Sequence, residues 1–138
     1  MASLIYDSAL DDAFRSLIDF DTDTFYCMLV DATYTPNKAT HTRRSDVTGE
    51  VAGAGYTADG KVATVTVTKD TVNHRIDTSL GANSWTAATI AARGAVYYKR
   101  RGGLASADEL VAYIDFGSII SSTAGTFSLS ASILRLQN

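Results

Sequence analysis

A single proline and a single cysteine occur among 138 residues, and each scarcity removes options. With only Cys27 there is no internal disulfide, so stability has to come from burial and hydrogen bonding. Cys27 stands inside the apolar run FYCMLV, where a thiol is expected to be buried and inert rather than nucleophilic. One proline leaves no Pro-rich linker, and no internal repeat divides the chain, so residues 1–138 read as one domain. No apolar stretch approaches the roughly 18–20 residues that span a bilayer, which gives no reason to expect a membrane partner. The first residues, MASLIYDSALDDAF, are acidic and lack the basic start of a secretion signal, so synthesis in a reducing cytoplasm is expected. Positive charge is also in deficit: 12 Lys and Arg against 15 Asp and Glu leave a net charge of −3. Broad, salt-driven binding to nucleic acid needs a basic face, so no nucleic-acid partner is expected.

Hydrophobic residues make up 46% of the chain, enough for a core. The helical period occurs once, in SALDDAFRSLI, where Leu10, Phe14, Leu17 and Ile18 recur on one face. Ser8 with Asp11 has the form of a capping box. Beyond Asp23 the pattern is that of strands. FYCMLV suits burial on both faces, and VATVTVT alternates Ala63, Val65 and Val67 against Thr64, Thr66 and Thr68. TVNHRID places Val72, His74 and Ile76 on one side, and TIAARGAVYYK places Ile90, Ala92, Val96 and Tyr98 in phase. LVAYIDF and TFSLSASI complete the set, the latter with Phe127, Leu129, Ala131 and Ile133 in alternation. TPNK, ADGK, LGANS, RRGG and STAG read as the turns between them. The expected fold is mainly β, an antiparallel β-sandwich of jelly-roll type, with one short N-terminal helix in residues 1–20.

Gly53-Ala54-Gly55-Tyr56-Thr57-Ala58 fits the G-x-G-x-x-G/A fingerprint of dinucleotide sites. That fingerprint works only between a hydrophobic strand and a helix whose N-terminus receives the pyrophosphate. Here the preceding THTRRSDVTG is polar, and a DGK turn with an alternating strand follows. The segment therefore reads as a Gly-rich turn or bulge, and no cofactor is expected. Asp19, Asp21 and Asp23 have the alternate spacing of a calcium loop, but Thr24 and Val30 occupy its glycine and glutamate positions. A helix-to-strand connection with Asp side chains on backbone amides is the reading, with no metal. His41 and His74, the only histidines, have no diagnostic spacing with Cys27, and no catalytic residue is assigned. His74 reads instead as a half-buried strand residue. YYKRR and TRR are the basic clusters, and they suit contact with an acidic protein surface. The faces TVTVT and TFSLSAS carry few charges, which leaves their strands open to pairing with a partner.

DFDTDTFYCMLVDATYTPNKATH, DVTGEVAGAGYTADGK, ARGAVYYK and YIDFG, in that order, resemble a group of small virion proteins of tailed bacteriophages. The likeness covers residues 5–117. It departs at Asp59, where the pattern commonly has Gly, and in the long connection RRGGLASADE. The resemblance implies a structural, non-enzymatic protein of the virion, made in the host bacterium. By analogy of size and architecture it implies the capsid cement or decoration type, with the major capsid protein as partner and self-association into dimers or trimers. The residues expected to make contact are Leu4, Ile5 and Tyr6 of an N-terminal arm, Tyr34, Arg43 and Arg44 around the Thr35–Arg44 loop, and Lys99, Arg100 and Arg101 at a hairpin tip. A tail, neck or baseplate component shares the same features. A carbohydrate-binding module, with Trp85 and the seven tyrosines as stacking surfaces, is the remaining alternative.

Overall fold

Among the described residues, alternation and turn chemistry produce eight antiparallel strands and one α-helix. The computed structural model describes residues 2–138. In chain order these are β1 (Leu4–Ile5), a helix α1 (Asp7–Phe14), β2 (Phe25–Val30), β3 (Lys61–Ala63), β4 (Val65–Asp70), β5 (Arg75–Leu80), β6 (Asn83–Lys99), β7 (Leu110–Leu129) and β8 (Ser132–Gln137). One sheet has the order β1-β7-β6-β2-β3 and the other β4-β5-β8, which gives a two-layer, sandwich-like β structure. No helix among the described residues is long and apolar enough to cross a membrane.

The two sheets meet at a crease. Chain passes from one sheet to the other at Thr64, at Gly81–Ala82 and at Ser130–Ala131. β4 pairs β5 and β5 pairs β8 beyond the crease, while β6 pairs β7 before it, so β5–β6 and β7–β8 are two arms of one bent ribbon. Gly81 N–H donates to the Thr64 carbonyl across the bend at 2.8 Å.

Between the layers lies a core containing Phe25, Cys27, Leu29, Leu80, Trp85 and Tyr97. Cys27 is fully buried, and desolvation pushes its thiol up to about 12, so it stays protonated at neutral pH. The opposite face of the larger sheet is covered by Tyr6 and by the long β2–β3 connection, which bury Met28, Val96, Tyr98 and Tyr113. FYCMLV is consequently enclosed on both faces, as its continuous hydrophobicity implies.

Several periodicity readings are corrected. α1 stops at Phe14, because Ser16 takes a positive φ of 64° and the N–H groups of Leu17 and Ile18 turn back to the Asp12 carbonyl. Its buried face is Ala9 and Asp12, not Leu10 and Phe14, which are 53% and 80% exposed. Tyr6 is the N-cap and no side chain caps the helix, so Ser8 and Asp11 form no box. Val72 and His74 belong to the β4–β5 turn, where Asp70 accepts the N–H groups of Val72 and Asn73. His74 there is exposed with φ of 53°, outside any strand. STAG is no turn: it lies within β7, where Ala124 at φ 46° marks an irregularity opposite Thr89. Ile90 and Ala92 do not share a face with Val96 and Tyr98. A register shift between Ala92 and Gly94 reverses the phase, sending Ala95 and Tyr97 to the inter-sheet core and Val96 and Tyr98 to the other.

Candidate functional site

The basic residues singled out above converge on one corner of the larger sheet, where nearly every charge already has a partner. Arg44 donates through Nε to Asp108 Oδ2 at 2.8 Å and through an Nη to Asp59 Oδ1 at 2.6 Å. Its guanidinium also lies 5.2 Å from the centroid of the Tyr98 ring. Arg100 sits 4.5 Å from the Tyr26 ring centroid and reaches Asp59 at 3.4 Å. Arg101 forms a fork on the buried Glu109, Arg43 reaches the buried Asp12 at 3.4 Å, and Lys99 bonds Asp23 at 2.8 Å. The backbone N–H of Arg101 donates to the other oxygen of Asp108 at 2.9 Å. These cations are internal staples: Arg44 and Arg100 hold the β6–β7 loop to the β2–β3 connection, Arg43 ties that connection to α1, Lys99 ties the end of β6 to the α1–β2 connection, and Arg101 closes the β6–β7 loop on itself.

The aromatic candidates are more deeply placed still. Tyr6 and Tyr34, expected at an interface, are core residues at 0% and 3% exposure. Their hydroxyls bond each other at 2.8 Å, and the Tyr34 hydroxyl bonds His41 Nδ1 at 2.9 Å. Burial is the main cause that pushes the pKa of both phenols above the ordinary tyrosine value. Leu4 and Ile5 are half-buried in β1, paired with Tyr113 and Ala112. Trp85 is 4% exposed and packs edge-on against Phe127, which removes the stacking surface that a sugar would need.

The Gly-rich segment proves to be a clamp. Glu50 accepts the Tyr56 hydroxyl at 2.7 Å and the Asp59 N–H at 2.6 Å, while Tyr56 Oη accepts the Leu29 N–H at 3.1 Å. Gly60 has φ of 83°, and a Cβ there would run into the Cys27 carbonyl. Asp59, at φ 75°, occupies a conformation that glycine tolerates best. What aspartate adds is the carboxylate shared by Arg44 and Arg100. In DFDTDT, Asp21 N–H donates to Asp19 Oδ1 at 2.9 Å and Asp19 N–H to Asp23 Oδ2 at 2.7 Å, the connection expected for it.

The same corner carries a pH-sensitive bond. Thr42 and Arg43 N–H groups donate to Asp46 Oδ2 at 2.8 and 3.0 Å, and these bonds hold its carboxyl below the ordinary range. A depressed folded-state value contributes stability above the unfolded value and loses it as pH falls through the folded one. Asp46→Ala is expected to lower stability by about 1.5–3 kcal/mol at pH 7, as for a hydrogen bond to a charged group. In thermal melts that deficit should shrink below about pH 4, the ordinary carboxylate range. A deficit unchanged down to strong acid would remove Asp46 from this role. Asp12 works in the opposite sense, since burial raises its value against the pull of Arg43.

Away from that corner an apolar surface is left open. Beside α1, the inner face of the three-stranded sheet opens into a groove of about 250 Å³, lined mainly by apolar residues including Leu10, Phe14, Phe20, Ile76, Leu134 and Leu136. Phe14 and Leu136 stand 80% and 61% exposed on its two walls. The groove exists because α1 turns Ala9 and Asp12 inward and the crease holds the outer part of β5 and β8 away from the helix. Sequence periodicity grouped Leu10 and Phe14 with Leu17 and Ile18 on one helix face, and of these Ile18 is buried in the core while Leu10 and Phe14 stay exposed. The available signal was the shortness of the helix, whose small residue Ala9 leaves room only for its own close packing. Comparison with protein-family models, with curated proteins and with solved structures finds no match.

Proposed function

We propose that this protein is a non-enzymatic structural component of a tailed-phage virion, a cement or decoration protein that binds the major capsid protein lattice. The observation that carries the reading is the open apolar groove on a scaffold whose charged loops are already internally paired. A soluble domain gains nothing by leaving Phe14 and Leu136 in water, and exposed apolar patches of this kind mark contact sites. Each contact is small, and a repeating lattice multiplies it through many simultaneous attachments. The resemblance of residues 5–117 to phage virion proteins supplies the identity of the lattice.

Co-sedimentation with capsids of the cognate phage tests this, comparing unexpanded proheads with mature shells. Stoichiometric binding to mature shells alone is the expected result, since a cement protein recognises the expanded lattice. Binding to neither shell overturns the capsid reading, and ring formation by the pure protein would then place it in the tail, neck or baseplate.

A further inference from the structure

Resting on the reading of the groove beside α1 as the attachment site, we propose that what enters it is a single extended segment of the partner. The segment adds as a strand to the outer edge of β8 and sends every second side chain inward. β8 is the last strand of its sheet, so among the described residues its outer edge pairs with nothing. Its ladder with β5 runs from Leu80 opposite Ser132 to Arg75 opposite Gln137 without a register shift, so a further strand can continue it in step. Strand edges are commonly guarded by proline or by charge. β8 has no proline, and its one charged side chain, Arg135, is drawn back over the sheet onto Asp77 by bonds of 2.7 and 3.3 Å.

Groove and edge form one surface. Leu134 and Leu136 stand opposite Thr78 and Ile76 on the inner face of the sheet, and all four line the groove together with Arg135 of the edge strand. Ala9, Leu10, Ala13 and Phe14 of α1 make the facing wall. Size narrows the occupant. A volume of about 250 Å³ is below the roughly 300–1,000 Å³ of sites for small organic ligands, and gives room for a few side chains. A helix, about 10–12 Å across, would rest on the rim and leave the β8 amides and carbonyls unpaired. A strand that already belongs to a folded sheet would bring its own layers against α1. A free extended segment satisfies both surfaces, because its backbone bonds β8 while alternate apolar side chains enter between Leu10, Phe14 and Leu136. The intervening residues lie on the outer face next to Arg135, whose side chain is 42% exposed, so an acidic residue is favoured there.

The test uses the purified chain and synthetic peptides, without capsids. The probe is a labelled peptide of about eight residues in which leucine alternates with threonine and one central threonine is replaced by glutamate. Fluorescence anisotropy is expected to show saturable binding, and amide exchange should slow at residues 132–137, a readout that misfolding cannot imitate. The same composition with its leucines in adjacent pairs should bind about tenfold more weakly or worse, since half of them then face solvent. Methylating the alternate amide nitrogens that face β8 should cause a comparable loss, and methylating the other set should not. Leu136→Lys, at an exposed position, should weaken binding, and Arg135→Gln should remove the preference for glutamate over lysine at the peptide centre. No saturable binding, equal binding by both methylated peptides, or protection of α1 without β8 would each overturn the proposal. A chain that binds mature shells but not the alternating peptide keeps the capsid reading and loses this one. The reverse result keeps strand addition and loses the capsid.

Discussion

Asp108→Ala is expected to lower the stability of the fold by about 3 kcal/mol, near the lower limit for removing one partner of a buried ion pair. Asp108 is wholly buried, and its two oxygens receive the Arg44 side chain and the Arg101 backbone N–H. Alanine leaves a guanidinium whose side chain is only 11% exposed with half of its compensation gone. The residue also joins the β6–β7 loop to the β2–β3 connection, so its loss loosens both. In a domain of this size the fall in melting temperature should be roughly 10 °C. Asp108→Asn keeps the volume and one acceptor and should lose less. Equal melting of the alanine variant and the parent would show that Asp59 alone satisfies Arg44.

The second large effect concerns binding. Phe14→Lys with Leu136→Thr is expected to eliminate co-sedimentation with mature shells while moving the melting temperature by only a degree or two. Both residues are largely exposed, so the isolated fold does not depend on burying them. Lysine at the last position of α1 also suits the negative end of the helix dipole. In a complex each apolar side chain would contribute about 1.5–3 kcal/mol on burial. Removing two, and placing a charge in the groove, should reduce the affinity of a single contact by at least about a hundredfold. Retained binding would move the lattice contact away from the groove without touching the capsid assignment. A large drop in melting temperature would instead mean that α1 depends on Phe14 for its own docking.

Much of this architecture was legible from residue order, and the failures have physical causes. The strand pattern, the Asp-rich connection, the buried Cys27 and the outward threonines of β4 follow from alternation and turn chemistry. Phase was lost wherever the backbone inserts residues: the bulge near Gly94 reverses which side of β6 is buried, and no alternation count anticipates it. STAG misled because small and left-handed residues serve bulges as well as turns. The interface candidates Tyr6 and Tyr34 were misplaced because a tyrosine in a loop-rich segment looks exposed until a long connection closes over it. The internal pairing of the basic clusters was hidden for another reason. Their partners Asp59, Asp108 and Glu109 lie far away in sequence or across a loop, so the pairing became visible only once the loops met. Glu50, Tyr56 and Gly60 could have been found, since a carboxylate followed by a phenol six residues on and a glycine ten residues on, with two glycines between, are the parts of a closed loop.

The bent ribbon has a kinetic meaning. Since β5–β6 and β7–β8 are continuous arms, closing the single loop at residues 100–109 aligns β6 with β7 in one sheet and β5 with β8 in the other at once. One local closure is entropically cheap, and each further pair along the arms then adds next to a pair already formed. The partnership of Leu4 with Tyr113, spanning most of the chain, can form only after that ribbon exists. A nascent chain would therefore assemble from its C-terminal half toward its N-terminus, opposite to the order of synthesis, and complete its larger sheet last.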